Sequence, residues 1–100
     1  MLGTHKTTTA IDNNTLMVTY QNTIVVKVID NRYVVLNNGG YFTATSKRRM
    51  NQASMQYNLG FSVYQSDFTW YVQLGDTIEP YYNGIVLDTK DKLISRKLKD

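Results

Sequence analysis

The chain has 100 residues, a net charge of +3 and no cysteine. A chain of this length forms one domain that buries enough apolar surface to fold alone, and the lack of cysteine excludes disulfides and cysteine-ligated zinc. No apolar run approaches the roughly 20 residues that span a bilayer. Residues 3–15 lack the apolar core of a signal peptide, and the single histidine, His5, lies in a polar leader. We therefore expect an intracellular protein with no membrane segment, no metal and no small-molecule cofactor.

The first half of the chain is predicted to form an antiparallel meander. The polar residues 1–14 have little to bury, so we expect a flexible N-terminal arm. Gln21 and Asn22 form a two-residue hairpin loop, and residues 37–40 form the clearest turn, because Asn and Gly tolerate the positive φ of tight turns. Alternation of apolar and polar residues predicts strands over residues 15–20, 23–29 and 33–36, with a short fourth strand over 41–43.

One helix is predicted from residue 46 to residue 59. Thr45 or Ser46 can cap its start, and Gly60 is placed for the left-handed residue that ends a helix. At 100° per residue, a narrow inward stripe contains Met50, Ala53, Ser54 and Tyr57. The opposite, polar face contains Arg48, Gln52 and Gln56, flanked by Arg49 and Met55.

The second half of the chain is predicted to contain a hairpin and one further strand. The hairpin joins residues 61–66 to 68–74 near Ser66 and Asp67, with Phe68 on the same face as Trp70. We expect a loop over 75–80, a short strand over 85–87, and a basic tail over 89–100 that forms a short helix or stays mobile. The fold class is therefore α+β: a mainly antiparallel sheet with the helix packed on one face, in a single domain over 15–88.

The pattern of charge favours an anionic partner. Residues 1–49 hold six Lys and Arg against two Asp, whereas residues 50–89 hold four acidic residues and no Lys or Arg. The last eleven residues hold five Lys and Arg against two Asp. A basic region attracts polyanions from a distance. For the tail, the alternative is that the charges serve only solubility.

The start of the predicted helix is the main candidate binding site. Helix N-termini favour acidic residues, yet three consecutive cations occur here. Exposed N–H groups, hydroxyls and cations together suit phosphate or carboxylate, and Arg and Gln on one helix face suit base edges. The residues predicted to bind an anion or nucleic acid are Thr45, Ser46, Lys47, Arg48, Arg49, Gln52 and Gln56.

The alternative is a protein-binding module, including a homodimer, in which the basic residues serve only solubility. Eight tyrosines and one tryptophan are present, and interface cores favour Tyr, Trp, Met and Arg. Trp70 is predicted to lie in the core. The residues predicted for such an interface are Met55, Tyr41, Tyr64 and Tyr71. The same three tyrosines and Tyr81 are also predicted stacking surfaces for unpaired bases.

An enzyme is not expected. The chain lacks a phosphate-binding loop and a dinucleotide fingerprint, and it has no acidic cluster for two metals. Asp76 and Glu79 are close in sequence, but their loop predicts solvated carboxylates. No catalytic residue is therefore assigned.

Residues 36–52, 59–65 and 70–72 resemble a family of small proteins from tailed phages and prophages. The shared pattern is a Gly-Gly-aromatic turn, a Thr-rich strand, a helix with Lys/Arg-Met-Asn-Gln, and a Gly-aromatic hairpin. The resemblance implies a stoichiometric binder that disables a host process, including restriction or CRISPR defence. Its implied partner is nucleic acid or a host nucleoprotein complex in the host cytoplasm. The residues that match the pattern of the helix and its approach are Thr43, Thr45, Lys47, Arg48, Met50, Asn51 and Gln52.

Overall fold

The computed structural model describes residues 7–40 and 42–95. Within those residues the chain forms nine strands and one helix. The helix is α1 (Ala44–Gln56). The strands are β1 (Thr7–Asp12), β2 (Thr15–Tyr20), β3 (Thr23–Ile29), β4 (Tyr33–Leu36), β5 (Phe61–Ser66), β6 (Thr69–Leu74), β7 (Thr77–Pro80), β8 (Ile85–Asp88) and β9 (Leu93–Ser95).

The strands form two antiparallel sheets, which confirms the α+β class. Six strands pair in the order β1-β2-β3-β4-β8-β9, and three pair in the order β5-β6-β7. The prediction of one sheet is therefore wrong. The large sheet buries one face with Val26 and Leu36 paired across β3 and β4. That apolar face needs a covering layer, and α1 lies against β2, β3 and β5.

The hairpin turns follow the expected chemistry. Gln21 and Asn22 both have positive φ, as a two-residue turn between twisted strands requires, which confirms the predicted loop. The β5–β6 turn lies one residue later than predicted, at Asp67 and Phe68, which also both have positive φ. Phe68 is 96% exposed and does not share the buried face of Trp70. Trp70 itself lies in the core, as predicted.

Three segments predicted to be irregular or helical are strands instead. Residues 7–12 of the expected N-terminal arm form β1, which pairs with β2 along its whole length. The expected loop at 75–80 contains β7, whose Pro80 is tolerated because β7 is an edge strand. In the expected tail, residues 93–95 pair with β8 as β9 rather than forming a helix. The predicted strand at 41–43 is absent at residues 42 and 43.

The helix is displaced toward the N-terminus relative to its prediction. Its N-cap is Thr43, not Thr45 or Ser46. Its end is set by Asn58, which has a φ of 60°, while the amide of Leu59 donates to the carbonyl of Ser54. This is the bond of a Schellman cap, with Asn in the position often taken by Gly. The predicted inward stripe is confirmed, since Met50, Ala53 and Ser54 are buried and Tyr57 is half-buried against the core. No helix in residues 7–40 and 42–95 is long and apolar enough to cross a membrane.

Candidate binding surfaces around helix α1

Helix α1 is fixed to the free edge of β5 by side chains that replace a neighbouring strand. The Asn51 amide accepts from Val63 N–H at 2.8 Å and donates to Val63 C=O at 2.9 Å. Two residues earlier on the strand, Ser54 Oγ donates to Phe61 C=O at 2.6 Å and accepts from Phe61 N–H at 3.0 Å. The N–H and C=O groups of Phe61 and Val63 are therefore all hydrogen-bonded. These four bonds fix the rotation of α1 against β5, and with it the direction of the outward residues of the helix.

The N-terminus of α1 is capped from within the chain. Thr43 Oγ1 accepts from the amide of Ser46 at 3.2 Å, and its hydroxyl donates to Ser46 Oγ at 3.1 Å. The Ser46 amide is thus already paired, and Ser46 is only 3% exposed. This arrangement changes the predicted anion site, because one of its donors is used by the helix cap.

The three consecutive cations point in different directions. Successive helical residues are about 100° apart, so Lys47 and Arg49 lie on nearly opposite sides of α1. Lys47 Nζ donates to Gln65 Oε1 at 3.1 Å and lies 5.3 Å from the centroid of the Trp70 ring. Arg48 is exposed between them.

Arg49 is directed toward the large sheet. Its Nε donates to Thr7 Oγ1 at 3.0 Å, and its Nη1 donates to Gln52 Oε1 at 3.1 Å. Its guanidinium carbon lies 5.4 Å from the centroid of the Tyr20 ring. Helical rotation therefore places Lys47 and Arg49 on either side of Arg48 rather than side by side, and the binding of an anion by residues 47–49 stays a prediction.

A groove between α1 and β5 brings together five of the predicted binding residues, Lys47, Arg48, Gln52, Met55 and Tyr64. We call it the α1–β5 groove. Met55, at its rim, is 82% exposed. Tyr64 stacks on Tyr71, with ring centroids 5.7 Å apart and planes at 26°. No Asp or Glu of the described chain lines the groove, whose walls are formed by Ala44, Lys47, Arg48, Asn51, Gln52 and Met55 from α1 and by Val63, Tyr64 and Gln65 from β5.

The remaining predicted residues lie away from this groove. Gln56, at the end of α1, is exposed and its Nε2 donates to Tyr57 OH at 3.2 Å. Tyr41 lies outside the described residues. Tyr81, a predicted stacking surface, is only 8% exposed, so it cannot offer a face to a base.

The same burial raises the pKa of the Tyr81 hydroxyl well above its usual range. Tyr81 and the exposed Phe42 both pack on Trp70, with centroid distances of 5.3 Å and 4.9 Å. Phe42 immediately precedes the helix N-cap, a position where an apolar residue often packs against its surroundings. That position in the sequence could have indicated its packing.

A second cavity lies on the other side of the helix N-terminus. We call it the Asn38 cavity. Thr45 and Ser46 of the predicted anion site line it, together with Thr43, Tyr20, Gln21, Thr23, Val25 and Asn38. Asn38 is 1% exposed, and its Nδ2 has no hydrogen-bond partner. From the sequence, Asn38 is predicted only to lie in a turn, since a buried asparagine and a turn asparagine look alike in a sequence.

The strongest ion pair of the described residues is structural. Arg32 donates to both carboxylate oxygens of Asp88, at 2.9 Å and 2.8 Å, and also to Asp91 at 3.1 Å. The bond from Arg32 lowers the pKa of the Asp88 carboxyl to about 2. This pair ties the β3–β4 turn to the end of β8. Nowhere in the described ranges do three His, Asp or Glu side chains gather as a metal ion would require.

The fold and its surfaces define a small α+β protein with a carboxylate-free groove beside its single described helix. The family model for the Kyanoviridae Gp96 protein matches residues 2–88. The chain belongs to this family and is a phage protein, which confirms the predicted relation to a family of small phage proteins. Neither the curated proteins nor the solved structures gave a match.

Proposed function

We propose that the protein acts by binding, without catalysis, and that its α1–β5 groove holds nucleic acid or the nucleic-acid-bearing part of a host complex. The observation that supports this most directly is the composition of the groove. Lys47 and Arg48 supply positive charge, Gln52 supplies hydrogen-bonding groups, and Tyr64 offers an aromatic surface stacked on Tyr71. With no carboxylate among the residues of its walls, the groove suits a phosphate backbone.

A single strand fits this arrangement better than a duplex. Unpaired bases stack on aromatic side chains, while cations beside them neutralise the backbone. Tyr64 lies on β5, at the foot of the groove, and Arg48 lies on the facing helix. The bases would stack at Tyr64, and the phosphates would pass Arg48.

Membership of a phage family supports a role against a host process in the host cytoplasm, such as inhibition of a CRISPR or restriction complex. A binder of this kind acts stoichiometrically and requires no catalytic group. The proposal therefore assigns no reaction.

The test is fluorescence anisotropy with labelled single-stranded DNA, single-stranded RNA and duplex DNA, titrated across salt. The full chain is compared with Arg48→Ala, Tyr64→Ala and the control Lys90→Ala, which removes one cation from an exposed turn outside the groove. Arg48→Ala should make the fall of log K with log salt shallower by about one unit of slope, because one phosphate contact is lost. Tyr64→Ala should weaken single-strand binding by about 1–3 kcal/mol. Absence of binding to all three probes would refute the proposal, as would equal loss in the Lys90 control.

A protein partner is the second candidate, and the exposure of Met55 favours it. Met55 is 82% exposed beside Tyr64, and Ile78, on the same face of the small sheet as Tyr71, is 49% exposed. Met and Tyr are enriched in interface cores. Such an interface, in a homodimer or with a host protein, would resist salt. Light scattering of the wild type and Met55→Glu distinguishes a homodimer, because the variant should be monomeric at a concentration where the wild type is not.

A further inference from the structure

We infer that the Asn38 cavity is a binding site for a small oxyanion, a carboxylate or phosphate group, separate from the α1–β5 groove. The cavity has a volume of about 180 Å³, which exceeds the roughly 30 Å³ that one water occupies. It lies between the end of the β2–β3 hairpin and the first turn of α1.

The buried amide of Asn38 is the observation that supports a ligand. Its Oδ1 accepts from the Gly40 amide at 2.8 Å, so the orientation of the side-chain amide is fixed with Nδ2 as the remaining donor. The backbone amide of Asn38 donates to Asn83 Oδ1 at 3.1 Å. Nδ2 is thus the side-chain atom of Asn38 that has no partner. An unpaired buried donor is costly, and an acceptor in the cavity removes that cost.

The helix N-terminus supplies the second attraction. The first amides of a helix have no intrahelical acceptor and carry the positive end of its dipole. In α1 the Ser46 amide is taken by Thr43 Oγ1, whereas the amide of Thr45, a residue that lines the cavity, has no acceptor in the described ranges 7–40 and 42–95. Both facts favour an acceptor that carries negative charge.

The rest of the wall agrees with an anion rather than a cation. None of the described residues lining the cavity is Asp or Glu. Hydroxyls of Thr23 and Thr45 stand in the wall as further donors, and the Arg49 guanidinium lies over Tyr20, itself part of the wall. A carboxylate and a phosphate share this chemistry, so the probes must distinguish them.

The test is a titration of the ¹⁵N-labelled full chain with sodium phosphate and, separately, sodium acetate, against sodium chloride at matched ionic strength. The side-chain amide of Asn38 and the backbone amide of Thr45 should shift and saturate with one or both oxyanions and not with chloride. Saturation with phosphate alone identifies a phosphate site, and saturation with acetate alone identifies a carboxylate site.

Asn38→Asp is the decisive variant. It keeps an acceptor for Gly40 but replaces the unpaired donor with negative charge, so oxyanion affinity should fall at least about tenfold. Asn22→Asp is the matched control, because Asn22 lies in the neighbouring turn at a positive φ that Asp tolerates and does not line the cavity. Its affinity should equal that of the wild type.

Three results would overturn the inference: no saturable shift with either oxyanion, a shift with chloride of the same size, or unchanged affinity in Asn38→Asp. The inference does not depend on the nucleic-acid proposal. Loss of nucleic-acid binding in Arg48→Ala with oxyanion binding intact would separate the two sites.

Discussion

Replacement of Asn51 is expected to be among the most damaging changes that a polar residue of this chain can undergo. Asn51 is a polar residue of a helix, yet its amide pairs with both backbone groups of Val63. In Asn51→Ala these two groups lose their partners at the edge of β5. Val63 is 3% exposed, so water reaches this position poorly.

The expected cost follows from the two lost bonds. Each buried backbone group without a partner costs about 1–3 kcal/mol, while the better helix propensity of alanine returns up to about 0.7 kcal/mol. The net loss of unfolding free energy is about 1–5 kcal/mol. A domain of this size has a total of about 5–15 kcal/mol, and its melting temperature falls by roughly 4–8 °C for each kcal/mol lost.

Urea denaturation followed by circular dichroism measures this loss directly. Arg48→Ala is the control, since Arg48 is an exposed residue of the same helix and should change stability by less than about 0.5 kcal/mol. Asn51→Asp should also be destabilised at neutral pH, because a carboxylate cannot donate to Val63 C=O. A protonated carboxyl can donate, which raises the pKa of the introduced carboxyl in the folded state, so its deficit should shrink as the pH falls toward the unfolded pKa of about 3.9. A loss below about 0.5 kcal/mol in Asn51→Ala would refute this account of how α1 is attached.

Two further changes test other parts of the structure. Gly39 has a φ of 66°, and an added Cβ would lie 2.7 Å from Thr23 Oγ1, whereas a Cβ at Gly40, with a φ of 88°, meets nothing within 4 Å. Gly39→Ala should therefore lower thermal stability more than Gly40→Ala, which carries only the backbone strain of about 1–2 kcal/mol, and Thr23→Ala in the Gly39→Ala background should recover part of the difference; equal losses would contradict the steric explanation. The pKa of Asp88 is lowered to about 2 by Arg32, so its stabilising contribution is present above the unfolded pKa of about 3.9 and is lost as the pH falls from about 4 to about 2. Urea midpoints across this range should show that loss in the wild type and not in Asp88→Asn, and an identical pH dependence in both would exclude the ion pair as its cause.

The parts of the fold that were predictable are those in which apolar residues recur at a regular spacing along the sequence. The strand over residues 23–29 alternates apolar residues, and the helix repeats them at 3.6 residues, so both elements and the buried stripe at Met50 and Ala53 were predicted. Strands β1 and β7 were missed because each is an edge strand with mostly exposed residues, and therefore has no apolar face for a pattern to show. Their pairing is set by neighbouring strands rather than by their own composition.

The candidate sites were predictable only in part, for a different reason. The sequence indicated that Arg48, Gln52 and Met55 share a helix face, since that follows from helical geometry alone. It could not indicate that Tyr64 lies opposite them, because that depends on how Asn51 joins the helix to β5. The unpaired amide of Asn38 was hidden for the same reason, since its burial is produced by contacts distant in the sequence.

The order of strands in the large sheet has a consequence for how the chain folds. Strand β8 pairs with β4, with Leu36 opposite Ile85, so residues 37–84 form an insertion between adjacent strands. Closing a loop of this length costs about 3 kcal/mol of chain entropy, before any contact between the two strands compensates for it. The hairpins of β1–β3 and β5–β7 require no such closure. The pairing of β8 with β4 is therefore the slow, long-range event of folding, and it becomes faster if helix α1 and the small sheet have already shortened the distance between the two ends of the insertion.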